Sequence, residues 1–132
     1  MEEALVAYLL AAPPLAAMVG DRIHWVRSPQ GTANPRIVLY TISGIRDMSL
    51  NNGPTGFVSS RIQCDCIGTT YASAKTVARA LEARLSGYSG TWDLVRIEGA
   101  FLVGERDDIF DTETPDKVFR TSLDFNIWTK GI

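Results

Sequence analysis

The chain has 132 residues, 21% of them charged and 45% hydrophobic, with a formal net charge of −2 at pH 7. That size and balance suit one domain with a real core and exclude wholesale disorder. The basic residues are scattered, and a net-acidic chain without a cationic cluster is not built to grip a nucleic-acid duplex.

The chain opens MEEALVAYLLAAPPLAAMVGDR, apolar enough to suggest a leader, but Glu2 and Glu3 stand where a signal peptide carries positive charge. Leu5 with Leu9 and Val6 with Leu10 recur at i, i+4, which predicts a helix over residues 2–11 that packs on a sheet. Pro13 and Pro14 stop it, Pro14 opens a short turn over 15–19, and Gly20 closes that turn. The apolar run is too short and too Pro-broken to span a bilayer, so no membrane is expected. A brief strand over 21–26 and a Pro/Gly/Asn loop over 28–35 follow.

RIVLYTIS at 36–43 is a nearly continuous apolar run and reads as a strand covered on both faces. Residues 44–56, with Asn51-Asn52-Gly53-Pro54, read as a long structureless connection of the kind that carries contacts. Ile45, Met48 and Leu50 are its only apolar anchors and are expected to pack on a neighbouring copy.

The period of the apolar residues then changes once, cleanly. Val58, Ser60, Ile62, Cys64 and Cys66 alternate with Arg61, Gln63 and Asp65, a strand with one buried and one polar face. After Gly68-Thr69-Thr70 the stripe Tyr71, Ala74, Val77, Ala78, Leu81, Leu85 is helical, with Thr available as N-cap. Residues 92–98 and 100–109 read as a hairpin about Gly99, and 111–117 as a polar turn. Residues 118–128 read as a strand with Phe119, Thr121, Leu123, Phe125 and Ile127 on one side. The expected fold is a single α+β domain over 1–132, a mostly antiparallel sheet packed against two α-helices on one face.

Little of this chain invites chemistry. Cys64 and Cys66 would project from the same strand face about 6.6 Å apart, at the edge of disulfide reach. They read as reduced core residues, consistent with a reducing cytosol. Zinc would need two more ligands, and the chain offers one histidine and carboxylates. His24, between Ile23 and Trp25, has no evident partner for general-base work. The acidic run Glu105, Asp107, Asp108, Asp111, Glu113, Asp116 lacks the order and central glycine of a calcium loop and reads as a solvated turn. Gly20, Gly31, Gly44, Gly53 and Gly56 are too dispersed to cradle a phosphate, so no cofactor or metal is expected. The polar strand sides Arg61-Gln63-Asp65 and Arg120-Ser122-Asp124-Asn126, with Trp92 and Trp128 near them, suit either solvent or a subunit contact.

Three blocks carry a resemblance over almost the whole chain: ALVAYLLAAPPLAAMVGDRIH with SPQGTANPRIVLYTISG, then RIQCDCIGTTYASAKTVARALEARL, then GERDDIFDTETPDKVFRTSLDFNIW. In sequence, Gly20-Asp21-Arg22, Pro29-Gln30-Gly31, Asp65-Cys66 with Thr70-Tyr71-Ala72-Ser73-Ala74, and Arg120, Leu123-Asp124-Phe125 and Trp128 make it similar to one family. This is the tail-completion (tail-terminator, head-to-tail joining) family of long-tailed bacteriophages, prophages and gene transfer agents. Asp111-Thr112-Glu113-Thr114-Pro115 departs from the D-P-x-T-G-like turn of that family.

The resemblance implies a non-enzymatic ring, typically of six subunits, in the tail-neck region of a virion or phage-like particle assembled in the bacterial cytoplasm. The tail-tube protein would lie on one side and a head-tail connector or stopper protein on the other, and DNA would pass through the lumen without specific binding. Arg61, Asp65, Arg120 and Asp124 are then expected at subunit contacts, together with Ile45, Met48 and Leu50. Rival functions are another neck or minor-tail component, a small nucleic-acid-binding module, or an enzyme using His24 and the acidic run.

Overall fold

The computed structural model describes residues 2–27, 35–49, 53–92, 95–111 and 117–131. Three helices, α1 (Glu2–Leu10), α2 (Pro13–Val19) and α3 (Tyr71–Leu85), lie against one sheet. Its strands are β1 (Ile23–Trp25), β2 (Arg36–Ser49), β3 (Gly53–Gly68), β4 (Gly90–Trp92), β5 (Val95–Asp111) and β6 (Lys117–Gly131), in the spatial order β1-β2-β3-β6-β5-β4.

The helix boundaries follow from local chemistry. Pro13 opens α2 at a position where a missing N–H costs nothing, and Gly20, at φ 62°, closes it by donating to the Ala16 carbonyl at 2.8 Å. Thr70 caps α3, its hydroxyl accepting from the Ser73 N–H at 3.0 Å. At the far end Gly87, φ 78°, donates to the Ala100 carbonyl at 2.7 Å and ties the helix exit to β5. The expected pair of helices is thus three, because Pro13 both ends one helix and starts another.

Four of the five strand pairings are antiparallel, but β1 runs parallel to β2, so the sheet is mixed. The chain leaves β1 through a γ-turn at Val26, φ 66°, closed by the Arg27 N–H on the Trp25 carbonyl at 2.7 Å. It then returns to start β2 from the same end.

All three helices cover one face. Leu5, Leu9, Leu15 and Val19 join Ala74, Val77, Ala78, Leu81 and Leu85 over Ile37, Leu39, Ile62, Cys64, Cys66, Ile97, Leu123, Phe125 and Ile127, all buried. Each such leucine, isoleucine, valine or phenylalanine side chain contributes about 1.5–3 kcal/mol on burial. The free thiols of Cys64 and Cys66 lie in this core beneath α3, on the parity read from the strand. Val38 is also buried, on the opposite face, between the half-buried Arg36 and Tyr40, although no helix covers that side.

Three expectations are corrected. The stretch 44–56 is not a structureless connection: β2 runs on to Ser49, β3 begins at Gly53, and the two pair from Gly44↔Ser60 to Ser49↔Gly53. Such a ladder uses backbone N–H and C=O groups, which every non-proline residue supplies, so it needs no apolar alternation. Residues 95–111 form one strand and not a hairpin about Gly99; irregularities at Ile97/Gly99 and Leu102/Gly104 reset its parity and mimic a break. Residues 105–111 of the supposed acidic turn continue β5 beside β6, and residues 112–116 lie outside the described residues.

Candidate functional site

The sheet face turned away from the helices is where the polar residues collect. On β3 it presents Arg61, Gln63 and Asp65, and on β6 it presents Arg120, Ser122, Asp124, Asn126 and Trp128, as the alternation predicts. Register places Gln63 opposite Asp124 and Asp65 opposite Ser122, while β5 sets Gly104 opposite Asp124 and Arg106 opposite Ser122. Gly104, having no side chain, leaves the space above Asp124 open to two arginines.

Asp124 Oδ2 accepts from Arg61 Nη2 at 2.9 Å and from Arg106 Nη1 at 3.0 Å. Arg106 Nη2 donates to Gln63 Oε1 at 2.8 Å, and Gln63 Nε2 donates to Asp65 Oδ1 at 2.9 Å. Asp65 Oδ1 also accepts from Ser122 Oγ at 2.7 Å. Arg120 spans Asp65 at 3.6 Å and Asp108 at 2.7 Å. Three guanidinium groups therefore meet three carboxylates in one connected network, and its formal charge is zero.

Although this face carries no helix, Asp65 is 2% and Asp124 3% exposed. The arginines lie over them, with 48% of the Arg61 side chain and 49% of that of Arg106 still reaching solvent. Asp124 Oδ1 is buried with no hydrogen-bond partner among the described residues. So the four charged residues singled out from the sequence are brought together, Arg61 with Asp124 and Arg120 with Asp65, inside one subunit. Arg106 and Asp108 complete the network and were hidden in the acidic run; their shared parity with Gly104 was the signal.

The sheet also has two long open edges. β1 pairs only with Ile37–Leu39 of β2, and β4 only with Val95–Ile97 of β5. Beyond them β2 from Tyr40 to Ser49 and β5 from Phe101 to Asp111 have no outer strand among the described residues, the Ala100 carbonyl being taken by the Gly87 N–H. Each edge carries an exposed apolar residue where its register shifts: Ile42, 52% exposed, on β2, and Val103, 48% exposed, on β5. Phe101 stands exposed beside Val103. Ile45 and Met48 lie on the β2 edge opposite Ser59 and Pro54, while Leu50 lies outside the described residues.

The remaining sequence candidates fall elsewhere. His24 sits in β1 opposite Val38. Trp92 is not near the polar face: it is buried on the helix side, ring-stacked on Tyr88 at 5.7 Å, in a group with Tyr8 that borders an open cleft of about 470 Å³. Glu105 and Asp107 pair with Lys75 of α3 at 2.8 and 3.0 Å. Among the described residues no group of three or more His, Cys, Asp or Glu is placed to hold a metal ion, and no helix is long and apolar enough to cross a membrane.

Comparison with known proteins completes the picture. A chain in a solved virion of a native gene transfer agent (GTA) particle superposes with a TM-score of 0.80 at 22% identity, covering 99% of this chain and 95% of that one. A second solved chain superposes with a TM-score of 0.51 at 17% identity, covering 96% of this chain and 95% of that one. These likenesses establish a shared fold. No curated protein matches the sequence. The family model for tail completion protein gp17 matches residues 3–130, and on that near-complete match the chain belongs to the tail completion protein gp17 family.

Proposed function

We propose that this structural protein of a phage-like tail works as a closed ring that ends the tail tube and joins it to the head connector. The observation that carries the reading is the pair of open edges on opposite sides of one sheet. Across β2, β3, β6 and β5 the strand direction alternates, so β2 and β5 run antiparallel. The β2 edge of one copy can therefore continue antiparallel to the β5 edge of the next. That contact is heterologous, and it generates a ring when its rotation closes.

Soluble proteins ordinarily blunt such edges with charge, proline or cover. The β5 edge does carry charge from Glu105 to Asp108, but at the register shifts the two edges also expose Ile42 and Val103, which suits edges that are covered on assembly. Ile45 and Met48, on the same β2 edge, join the contact. Stable closure would bury about 1,200–2,000 Å² per subunit pair. A sheet closed this way has a wider outer circumference, where a layer of three helices fits, and a narrower inner one. The helix-free polar face then lines the lumen through which DNA passes. Arg61, Asp65, Arg120 and Asp124 become lining residues more than contact residues, since each already has its partner within the subunit. The count of six comes from the family resemblance.

Native mass spectrometry of the purified protein tests the ring: a closed hexamer is expected, and a monomer at all concentrations would overturn it. Ile42→Lys combined with Val103→Lys should yield folded monomers. In the particle, loss of the protein should give tails of uncontrolled length or tails unattached to heads. Normal-length tails joined to heads in its absence would refute the assignment.

A further inference from the structure

We infer that Asp124, with Asp65 and Asp108, masks the arginines of the open sheet face so that duplex DNA slides past without being held. The inference rests on the reading of that face as the lining of a DNA conduit. A guanidinium presents a planar fork that matches phosphate as well as it matches carboxylate. Three of them on one face, unpaired, would grip the backbone and release its counterions. None is unpaired. Asp124 Oδ2 holds one nitrogen of Arg61 and one of Arg106 at 2.9 and 3.0 Å, and Gln63 takes a second nitrogen of Arg106 at 2.8 Å. Arg120 is shared between Asp65 and Asp108.

Burial makes this pairing persistent. Only 4% of the Asp124 side chain reaches solvent, so an arginine that turned to a passing phosphate would strip a buried carboxylate of one of its two cations. Arg61 and Arg106 nevertheless remain about half exposed, which keeps the face hydrated and polar. The result is a wet, charge-balanced patch in place of an adhesive cationic one. Repeated around a ring, unmasking one pair per subunit would multiply the effect.

The test measures binding of a short fluorescein-labelled DNA duplex by anisotropy, from about 50 to 200 mM salt. Wild-type protein should bind weakly across the range. Asp124→Asn keeps the shape and an acceptor oxygen but removes the charge; it should bind at least tenfold tighter at the low-salt end. Its log–log salt slope should steepen by roughly 1.8 for each subunit engaged, from two released cations. Asp108→Asn, at a solvent-exposed position, should give a smaller gain through Arg120. Glu82→Gln, the same charge change on α3, should behave as wild type. Adding Arg61→Gln and Arg106→Gln to Asp124→Asn should abolish the gain. Folded Asp124→Asn and Asp108→Asn proteins that bind no tighter than Glu82→Gln would overturn the inference, as would tight, steeply salt-dependent binding by the wild type. A wild-type monomer in native mass spectra, with the Asp124→Asn gain intact, supports the mask and overturns only the ring.

Discussion

Tyr8 and Arg84 hold each other reciprocally across the helical layer. The Tyr8 hydroxyl donates to the Arg84 carbonyl at 3.0 Å, while Arg84 Nε and Nη2 donate to the Tyr8 carbonyl at 3.1 and 3.0 Å. The guanidinium also lies 3.8 Å from the Tyr8 ring centroid. A cation thereby serves a carbonyl in the last turn of α1, where the intrahelical ladder has run out of donors. Since α1 is only nine residues long, it is held by packing and by this link more than by its own helicity.

Arg84→Ala should therefore destabilise the protein by roughly 2–3 kcal/mol, through lost charge-assisted hydrogen bonds and the ring contact. Tyr8→Phe, which deletes one neutral donor, should cost about 1 kcal/mol. Urea unfolding should show lower midpoints with unchanged slopes. Equal midpoints for both variants and wild type would mean that α1 docks without this link.

The protein should be more fragile in alkali than in mild acid. Burial pushes the Cys64 thiol well up, with Cys66 and Asp65 adding to it, and raises Cys66 through burial and then Asp65. Tyr8 is raised by burial, and Lys75 by its hydrogen bond to Glu105. In each case the folded state keeps a proton that the unfolded chain releases. Stability from the thiols is fully present below about pH 9 and falls as pH rises beyond it, by roughly 2–3 kcal/mol at pH 10 for the pair. Urea midpoints measured between pH 7 and pH 10 check this, and thiol labelling of native protein should be slow at neutral pH. Rapid modification of both cysteines without unfolding would place them outside the core.

Lys75 joins α3 to β5, and it holds the Asp107 carboxyl below its ordinary value, with Thr121 assisting. A depressed carboxyl contributes stability above about pH 4 that is lost as pH falls through the folded value. Both carboxylates are well exposed, so solvent screening limits the pair, and Lys75→Met should cost only about 0.5–1 kcal/mol at neutral pH. The variant should also lose part of the acid sensitivity of the wild type. Carboxyl NMR titration should return Asp107 toward an ordinary aspartate.

Gly68 sits where β3 hands over to α3. A Cβ there would lie 2.8 Å from Ser73 Oγ and 2.9 Å from the backbone nitrogen of Ala74. The first turn of the helix cannot retreat without breaking its Thr70 cap. Gly68→Ala should destabilise by about 1–3 kcal/mol, readable as a lower thermal midpoint. An unchanged midpoint would mean that this joint is loose.

Charge reversal should act on folding before assembly. Asp124→Arg would set a third cation beside Arg61 and Arg106 at a buried position and should cost about 3–5 kcal/mol. A folded, normally stable Asp124→Arg monomer would return this residue to a solvent-facing rim.

The change from alternation over Val58–Cys66 to helical spacing over Tyr71–Leu85 was legible because burial on one face imposes a period on the residue types. The same logic placed Cys64 and Cys66 in the core and Arg61, Asp65, Arg120 and Asp124 on the opposite face. Family membership too could be read from the order of the motifs. What the linear chain did not disclose depends on partners distant along it. The β2–β3 arm extends through backbone pairing that leaves no mark on residue type. The acidic stretch of β5 is neutralised by Lys75, 30 residues upstream, and by Arg120, 12 residues downstream, so its charges read as a solvated turn until those partners are in place. Asp65 and Asp124 lie on the uncovered face yet are buried, because arginines from neighbouring strands close over them, and only the register of β3, β6 and β5 decides which side chains can reach.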